Sequence, residues 1–275
     1  MSQQHQPILA NDPSLPASAS ANFAEEMACF GRVIHGAELR EDAELLWFAV
    51  TPTLNGVLRS RFTPDDPAYI EQRIQAIIEY YTKRQARSFG WTLYLASQPA
   101  HLKELLLAQG FTHVYDDDIM TLALPAREQN VITAPTLAIR EVSNAQELQQ
   151  LCDVEQVAFE STADRIKLYY QTYLASGFGP GLAWRHFTGS LDSRVVASAS
   201  LLLSHGVAGI YGIGTLPEAR RQGVAASMIL HVLNEAERLG YHIATLSPTE
   251  QSKRLYQRIG FRTLGQKSFY KRSLA

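Results

Sequence analysis

The stretch Ile213-Gly-Thr-Leu-Pro-Glu-Ala-Arg-Arg-Gln-Gly-Val-Ala-Ala-Ser227 joins an apolar run to an amphipathic helix through a bend with many backbone donors. The run 207–213 is apolar and interrupted by glycines, which is typical of a buried strand, and Pro217 ends it. From Val224 apolar residues recur at helical spacing, and Gly240 stops the helix. The first helical turn has unpaired N–H groups, small residues surround Gly223, and the helix dipole is positive there. These features predict a loop that binds a pyrophosphate.

The sequence that follows strengthens this interpretation. A strand is predicted over 242–246, and Ser247-Pro248-Thr249-Glu250 has the pattern of a capping box with proline at the first helical position. Leu255-Tyr256 then stands three residues before Ile259-Gly-Phe261. This order of strand, T-L-P, R-x-x-G-x-A, helix, strand and capped helix resembles the GNAT family of acyl-CoA N-acyltransferases. The resemblance covers roughly residues 137–273.

The resemblance implies a site for acetyl-CoA without a metal ion. The backbone amides from Arg221 to Ala226 would hold the pyrophosphate, and the segment 213–215 would bond the pantetheine arm as an added strand does. Tyr256 occupies the position of a tyrosine that protonates the departing thiolate in many members of the family. The residues predicted to contact the cofactor are Ile213, Gly214, Thr215, Arg220, Arg221, Gln222, Gly223, Val224, Ala225, Ala226, Ser227, Thr249 and Ser252.

Two departures from the family pattern concern the pantetheine contact and the general base. Thr249 stands where the family often has asparagine, and the strand 207–214 has no Glu or Asp where the base often lies. An amine acceptor with a pKa of about 10 is protonated at neutral pH, so acyl transfer needs desolvation of the amine or a base before attack. The candidates are Tyr211, Glu160, Asp164, His186 and His205.

An internal repeat divides the chain into two similar halves. Gly110-Phe111 and Gly260-Phe261 are 150 residues apart, and the same offset pairs Pro67 with Pro217. At this offset Arg73 falls where Gly223 is, so the first half has a long side chain where the loop needs bare backbone. We therefore expect a disordered tail over 1–21, a degenerate GNAT-like domain without a cofactor loop over 22–124, a linker over 125–136 and a GNAT domain over 137–275.

Composition excludes several classes of protein. The formal net charge of −2 gives no nucleic-acid footprint, and no apolar stretch approaches the length of a membrane span. Cys29 and Cys152 are predicted to be buried thiols without a disulfide, and no metal-ligand spacing appears. We expect a cytoplasmic protein, a monomer or a homodimer, whose partner is a small-molecule or peptide amine.

These observations predict an α/β fold with a mixed sheet, built from two GNAT-like halves in tandem. The predicted activity is transfer of an acetyl group from acetyl-CoA to a primary amine by direct attack. The acceptor is expected between the halves, beside the segment 159–184, where aromatic residues precede a glycine-rich run. Two alternatives remain open: a non-catalytic acyl-CoA sensor, which would explain the missing acidic base, and an aminoacyl-transferase of the same fold.

Overall fold

The computed structural model describes residues 6–126 and 131–274. Its elements alternate between strands and helices along the whole chain. In chain order they are α1 (Leu15–Val33), β1 (Glu38–Glu41), β2 (Leu45–Ala49), β3 (Asn55–Ser60), α2 (Pro67–Lys83), β4 (Ser88–Leu93), α3 (Leu102–Ala108), β5 (Thr112–Ala123), β6 (Ala138–Glu141), α4 (Ala145–Ala158), α5 (Ala163–Ser176), β7 (Trp184–Leu191), β8 (Arg194–Ser204), β9 (Val207–Thr215), a short 3-10 turn (Pro217–Ala219), α6 (Val224–Arg238), β10 (Ile243–Leu246), α7 (Glu250–Ile259) and β11 (Arg262–Ser273).

The chain forms two compact units. The first contains Met1–Asn22 and Ile119–Leu264, and the second contains Phe23–Asp118 and Gly265–Ala275. In the first unit β6, β7, β8 and β9 pair antiparallel in order, β9 pairs parallel with β10, and β10 pairs antiparallel with the end of β5. Helix α4 packs on one face of these strands, and α6 packs on the other.

The second unit repeats this strand pattern. Strands β1, β2 and β3 pair antiparallel, β3 pairs parallel with β4, and β4 pairs antiparallel with the end of β11. In each unit the last strand therefore comes from the other half of the sequence. The two units therefore differ from the predicted domains 22–124 and 137–275. The end of β5 belongs to the first unit, and most of β11 belongs to the second.

Each unit has its own apolar core. In the second unit the side chains of Ile70, Ile74, Ile77 and Tyr81 form one buried stripe on α2, at helical spacing. In the first unit the buried stripe of α6 includes Val224, and it packs on the sheet through residues such as Met228 and Val232. The helical spacing of apolar residues from Val224 thus predicted the buried face of α6.

The predicted disordered tail over 1–21 is wrong for its described part. Helix α1 begins at Leu15, whose side chain packs with Val207 and Ile243. The Ile8 N–H donates to the Gly206 carbonyl at 3.1 Å, so the chain before α1 also lies against the β8–β9 hairpin. Alanine and serine have little apolar area, but small side chains such as Ala19 and Ser20 are buried in this helix and let it pack closely on the sheet. Residues 1–5 lie outside the described part of the chain.

Candidate functional site

Strand β9 opens at the position where the pantetheine arm was predicted. Its pairing with β10 is confined to Ala208 with Ala244 and Gly209 with Thr245. The register between β8 and β9 shifts between Ser198 and Ser200, and Gly212 has a left-handed φ of 57° there. The strand thus bulges at one of the glycines that interrupt its apolar run. Beyond Gly209 the edge of β9 that faces β10 does not pair with β10, so another extended group can pair with it.

The loop between β9 and α6 turns twice through left-handed backbone. Arg221 has φ 61° and Gly223 has φ 81°, and α6 begins directly afterwards at Val224. Gly223 is the N-cap residue, so no side chain caps the first turn of α6. The first N–H groups of a helix lack intrahelical partners, and the dipole is positive at this end. The loop therefore has the predicted properties of an anion-binding helix start.

A pocket of about 270 Å³ lies at this helix start. It contains most of the loop residues predicted from sequence and several residues that were not predicted. Its lining residues are Ile132, Thr215, Ala219, Arg220, Arg221, Gly223, Val224, Ala225, Ala226, Leu255 and Arg258. Arg258 lies on the exposed side of α7, so the pocket joins the start of α6 to the basic end of α7.

One polar atom in the pocket fits a bound ligand. The Thr215 hydroxyl is buried and has no hydrogen-bond partner among the described residues. Leaving a buried hydroxyl unpaired costs about 1–3 kcal/mol. Thr215 ends β9 and faces the pocket, so an extended polar chain that enters from the helix start can satisfy this hydroxyl.

Arg220 does not point freely into the pocket. Its guanidinium donates from Nε to the Thr215 carbonyl at 3.1 Å and from a terminal nitrogen to the Ala158 carbonyl at 3.4 Å. Arg220 thus ties the end of β9 to the end of α4. Gln222 donates to the Glu218 carbonyl at 2.9 Å and is not on the pocket wall. Arg220, Arg221 and Arg258 are the exposed basic side chains on the pocket wall, and the two carbonyls hold Arg220 in place.

Gly223 is required for a reason that the sequence did not reveal. A Cβ at this position would lie 2.6 Å from the Thr133 carbonyl carbon and 2.8 Å from the Ile132 oxygen. The Ala134 N–H also donates to the Ser227 hydroxyl at 2.9 Å. The end of the predicted linker therefore packs on the start of α6. The segment 132–134, and not an anion, therefore makes the close contact with Gly223. The Ser227 hydroxyl accepts a hydrogen bond from this linker.

Helix α7 begins two residues later than the sequence indicated. Thr249, not Ser247, is the N-cap residue, and its N–H donates to the Ser252 hydroxyl at 3.0 Å. The hydroxyls of Thr249 and Ser252 also bond each other at 2.9 Å. These hydroxyls, predicted as cofactor contacts, cap the helix, and neither residue lines the pocket.

Tyr256 lies inside α7 between the pocket-lining residues Leu255 and Arg258. Its side chain is 6% exposed and packs edge-on against Phe261, with ring centroids 5.7 Å apart. Burial raises the pKa of the phenol, and a hydrogen bond with Ser252 lowers it in part. Tyr256 therefore stays protonated at neutral pH, as a general acid must, but it is not on the wall of the pocket described above.

The candidate bases lie in different places. His205 is in the turn between β8 and β9, and Glu160 and Asp164 are exposed. His186 is buried, its Nδ1 lies 2.8 Å from the Ser200 hydroxyl, and burial lowers its pKa to about 3. The Tyr211 hydroxyl donates to Asn22 Oδ1 at 2.7 Å.

An acidic residue absent from the predicted set, Glu155, approaches the bulge of β9. Its side chain extends from α4 and is 4% exposed. A Cβ on Gly212 would overlap the Glu155 carboxylate oxygen Oε1. Nothing in the sequence signals this contact except an acidic residue on an amphipathic helix.

The second unit has no equivalent helix start. Helix α2 begins at Pro67, and the Asp66 carboxylate accepts from the Ala68 N–H at 3.1 Å. A carboxylate at this position satisfies the helix and repels a phosphate. Arg73, expected to block a loop, forms ion pairs with Asp42 and Glu44. In the first half of the chain the Asp66 side chain thus caps the start of α2, where an anion would otherwise bind.

Three further observations concern metal sites, membrane spans and cysteines. Within residues 6–126 and 131–274, no group of three or more His, Cys, Asp or Glu side chains is arranged to hold a metal ion. Among the helices described, none combines the length and the apolar character needed to cross a membrane. The two cysteines form no disulfide and are buried, as predicted.

Comparison with known proteins identifies the fold. Residues 148–261 match the sequence profile of the Acetyltransferase (GNAT) family. A GCN5-related N-acetyltransferase from Kribbella flavida is similar with a TM-score of 0.72 at 20% identity, over 94% of this chain and 96% of that one. A tandem GNAT protein from the clavulanic acid biosynthesis pathway gives 0.66 at 13% identity, over 98% and 97%. A GCN5-related N-acetyltransferase from Sphaerobacter thermophilus gives 0.64 at 16% identity, over 98% and 94%. No curated protein matches the chain. The predicted resemblance and the predicted mixed α/β fold are confirmed.

Proposed function

We propose that the protein transfers an acetyl group from acetyl-CoA to a primary amine, because residues 148–261 match the sequence profile of the Acetyltransferase (GNAT) family, which supports acyl transfer in general. The observation that carries the proposal is that three features occur together in one unit. They are the uncapped start of α6, the bulged strand β9 with its open edge, and the buried Thr215 hydroxyl without a hydrogen-bond partner among the described residues. A pyrophosphate would fit the start of α6, and a pantetheine arm would fit the open edge of β9. A polar group of the linkage between them would bond the Thr215 hydroxyl.

The loop supplies the affinity for the cofactor in this proposal. The N–H groups from Arg221 to Ala226 would bind the pyrophosphate, and Arg221 and Arg258 would add positive charge. Phosphate oxygens form stronger hydrogen bonds with charged donors than with neutral ones. The absence of a side-chain cap at Gly223 leaves these donors available.

The bulge positions the thioester. The pantetheine would lie along Ile213, Gly214 and Thr215 as an added strand, and the Thr215 hydroxyl would gain a partner. The amides at the bulge would then polarise the thioester carbonyl, because fixed donors stabilise the oxygen charge that develops during attack.

Proton transfer completes the reaction. The amine must lose a proton before it attacks the acetyl carbon, and the sulfur must gain one as the carbon–sulfur bond breaks. Tyr256 would donate this proton, since its phenol is protonated and lies on the helix that borders the pocket. The aromatic cluster of Tyr173, Trp184 and His186 borders the α4 side of the same sheet and would shape the acceptor site. A cytoplasmic location and a monomer or homodimer without nucleic acid remain part of this proposal.

The test combines turnover with cofactor binding. Release of free CoA from acetyl-CoA is measured with four amines: putrescine, tyramine, glucosamine and an unblocked peptide. Ala225→Asp places a carboxylate on the pocket wall and should weaken acetyl-CoA binding at least tenfold by calorimetry. Asn234→Asp adds the same charge on the exposed side of α6 and should leave binding unchanged. Equal binding by both variants, or a wild type that uses none of the amines, would contradict the proposal.

A further inference from the structure

The feature that the proposed chemistry leaves unassigned is the buried carboxylate of Glu155. Helix α4 starts at the Asn144 cap and packs on β8 and β9, and Glu155 lies on its buried face near the end. A Cβ on Gly212 would overlap Oε1, so the carboxylate borders the backbone of the bulge with no side chain between them. This bulge is where the edge of β9 opens.

Two titratable groups near this carboxylate, His186 and Cys152, are neutral at neutral pH. The Ser200 hydroxyl lies 3.6 Å from the same Cβ position and bonds His186 Nδ1 at 2.8 Å. Burial lowers the pKa of His186 to about 3, so the imidazole is uncharged. Burial, and then the charge of Glu155, raise the pKa of the Cys152 thiol, so Cys152 stays protonated. Glu155 is therefore the proton acceptor that the described residues place at the bulge.

The residues predicted from sequence are less suited to this role. Glu160 and Asp164 are exposed, and His205 lies in the hairpin turn beyond the opposite end of β9. Tyr211 donates its hydroxyl hydrogen to Asn22 Oδ1, and a phenol is a weak base at neutral pH.

We infer that Glu155 is the general base of the proposed acetyl transfer, an inference that rests on that proposed function. The Glu155 carboxylate takes one proton from the acceptor ammonium, directly or through one water. The neutral nitrogen bonds to the acetyl carbon, and the carbon–sulfur bond then breaks. The sulfur takes the Tyr256 proton, and the second nitrogen proton returns to the Tyr256 oxygen through solvent. The products are an N-acetyl amine and free CoA, and the proton on Glu155 passes to solvent.

Three variants test this inference with acetyl-CoA and the four amines named above. Glu155→Gln keeps the shape and one acceptor oxygen but cannot take a proton, so kcat should fall by about 10²-fold or more. Glu155→Asp retains a carboxylate and should keep at least ten times the activity of the Gln variant. Asp153→Asn removes an exposed carboxylate from the same helix and should keep wild-type kcat. The dissociation constant of acetyl-CoA should stay within about twofold in all three variants.

The outcomes separate the base from its alternatives. A Gln variant with wild-type kcat would overturn the assignment while the proposed function stands. Equal losses in the Gln and Asp variants, with weaker acetyl-CoA binding or a lower melting temperature, would show a packing role and would also overturn it. A wild type that releases CoA with none of the amines would instead refute the proposed function from which the inference starts.

Discussion

Replacing Gly212 by alanine should destabilise the protein through two separable effects. The residue has φ 57°, and a non-glycine residue in left-handed backbone costs about 1–2 kcal/mol. The added methyl group would also overlap the Glu155 carboxylate, and overpacking of this kind costs about 1–3 kcal/mol. The free energy of unfolding should therefore fall by about 2–5 kcal/mol.

A second glycine in the same unit provides the control. Gly240 has φ 85°, but a Cβ there meets no atom within 4 Å. Gly240→Ala should therefore cost only the backbone term of about 1–2 kcal/mol. Guanidinium unfolding of both variants, followed by circular dichroism, gives the difference between them, which measures the clash with Glu155.

A double-mutant cycle identifies the partner of the clash. Glu155→Ala removes the carboxylate and opens space for the new methyl group, so the double variant should be more stable than the sum of the single changes predicts, by about 1–3 kcal/mol. If Gly212→Ala costs no more than Gly240→Ala, or if the cycle shows no coupling, then the carboxylate does not lie against the bulge and the reasoning about Glu155 fails.

Three other changes test the remaining parts of the site and its surroundings. Tyr256→Phe should lower kcat about 10²-fold with little change in acetyl-CoA affinity, whereas full activity in steady-state assays would remove Tyr256 from the mechanism. Arg258→Gln should weaken CoA binding in calorimetry by about tenfold, because a charged donor is lost from the pocket, and Arg254→Gln, one turn away and outside the pocket, should not. Burial lowers the pKa of His186 to about 3 from 6.5, so between these values the unfolded chain binds a proton that the folded chain does not. Stability should therefore fall by about 2 kcal/mol from pH 6.5 to 5, and His186→Gln should flatten this dependence in unfolding titrations; an unchanged slope would refute the assignment.

Features set by local sequence were predictable. The start of α6 at Val224 and its buried stripe follow from the spacing of apolar residues, and the apolar run 207–213 indicated the strand β9. The start of α7 was misplaced by two residues because Ser247 and Thr249 both suit an N-cap. Which of them caps the helix depends on whether the side chain three residues later accepts a hydrogen bond from the N-cap N–H. Thr249 has Ser252 at that distance.

Features set by long-range contacts were not predictable. The contact between Glu155 and Gly212 joins a helix to a strand more than fifty positions away, and no periodicity reports such a pair. The same applies to Gly223, which makes room for the segment 132–134. Residues 8–21 were misjudged because their composition is polar and small, whereas their order comes from contacts with the β8–β9 hairpin and with Ile243.

The repeat explains why one half alone is expected to carry the cofactor site. Both halves contain a strand followed by a helix that begins near an equivalent proline, Pro67 or Pro217. In the first half Asp66 caps that helix at once, so its N–H groups are satisfied by a carboxylate. In the second half a 3-10 turn and a loop intervene, and the helix starts at an uncapped glycine. Because β10 pairs with the end of β5, the unit that contains the site also needs a strand from the first half. The segment 137–275 is therefore not a complete folding unit, because the first half of the chain contributes its last strand to the unit that contains the candidate site.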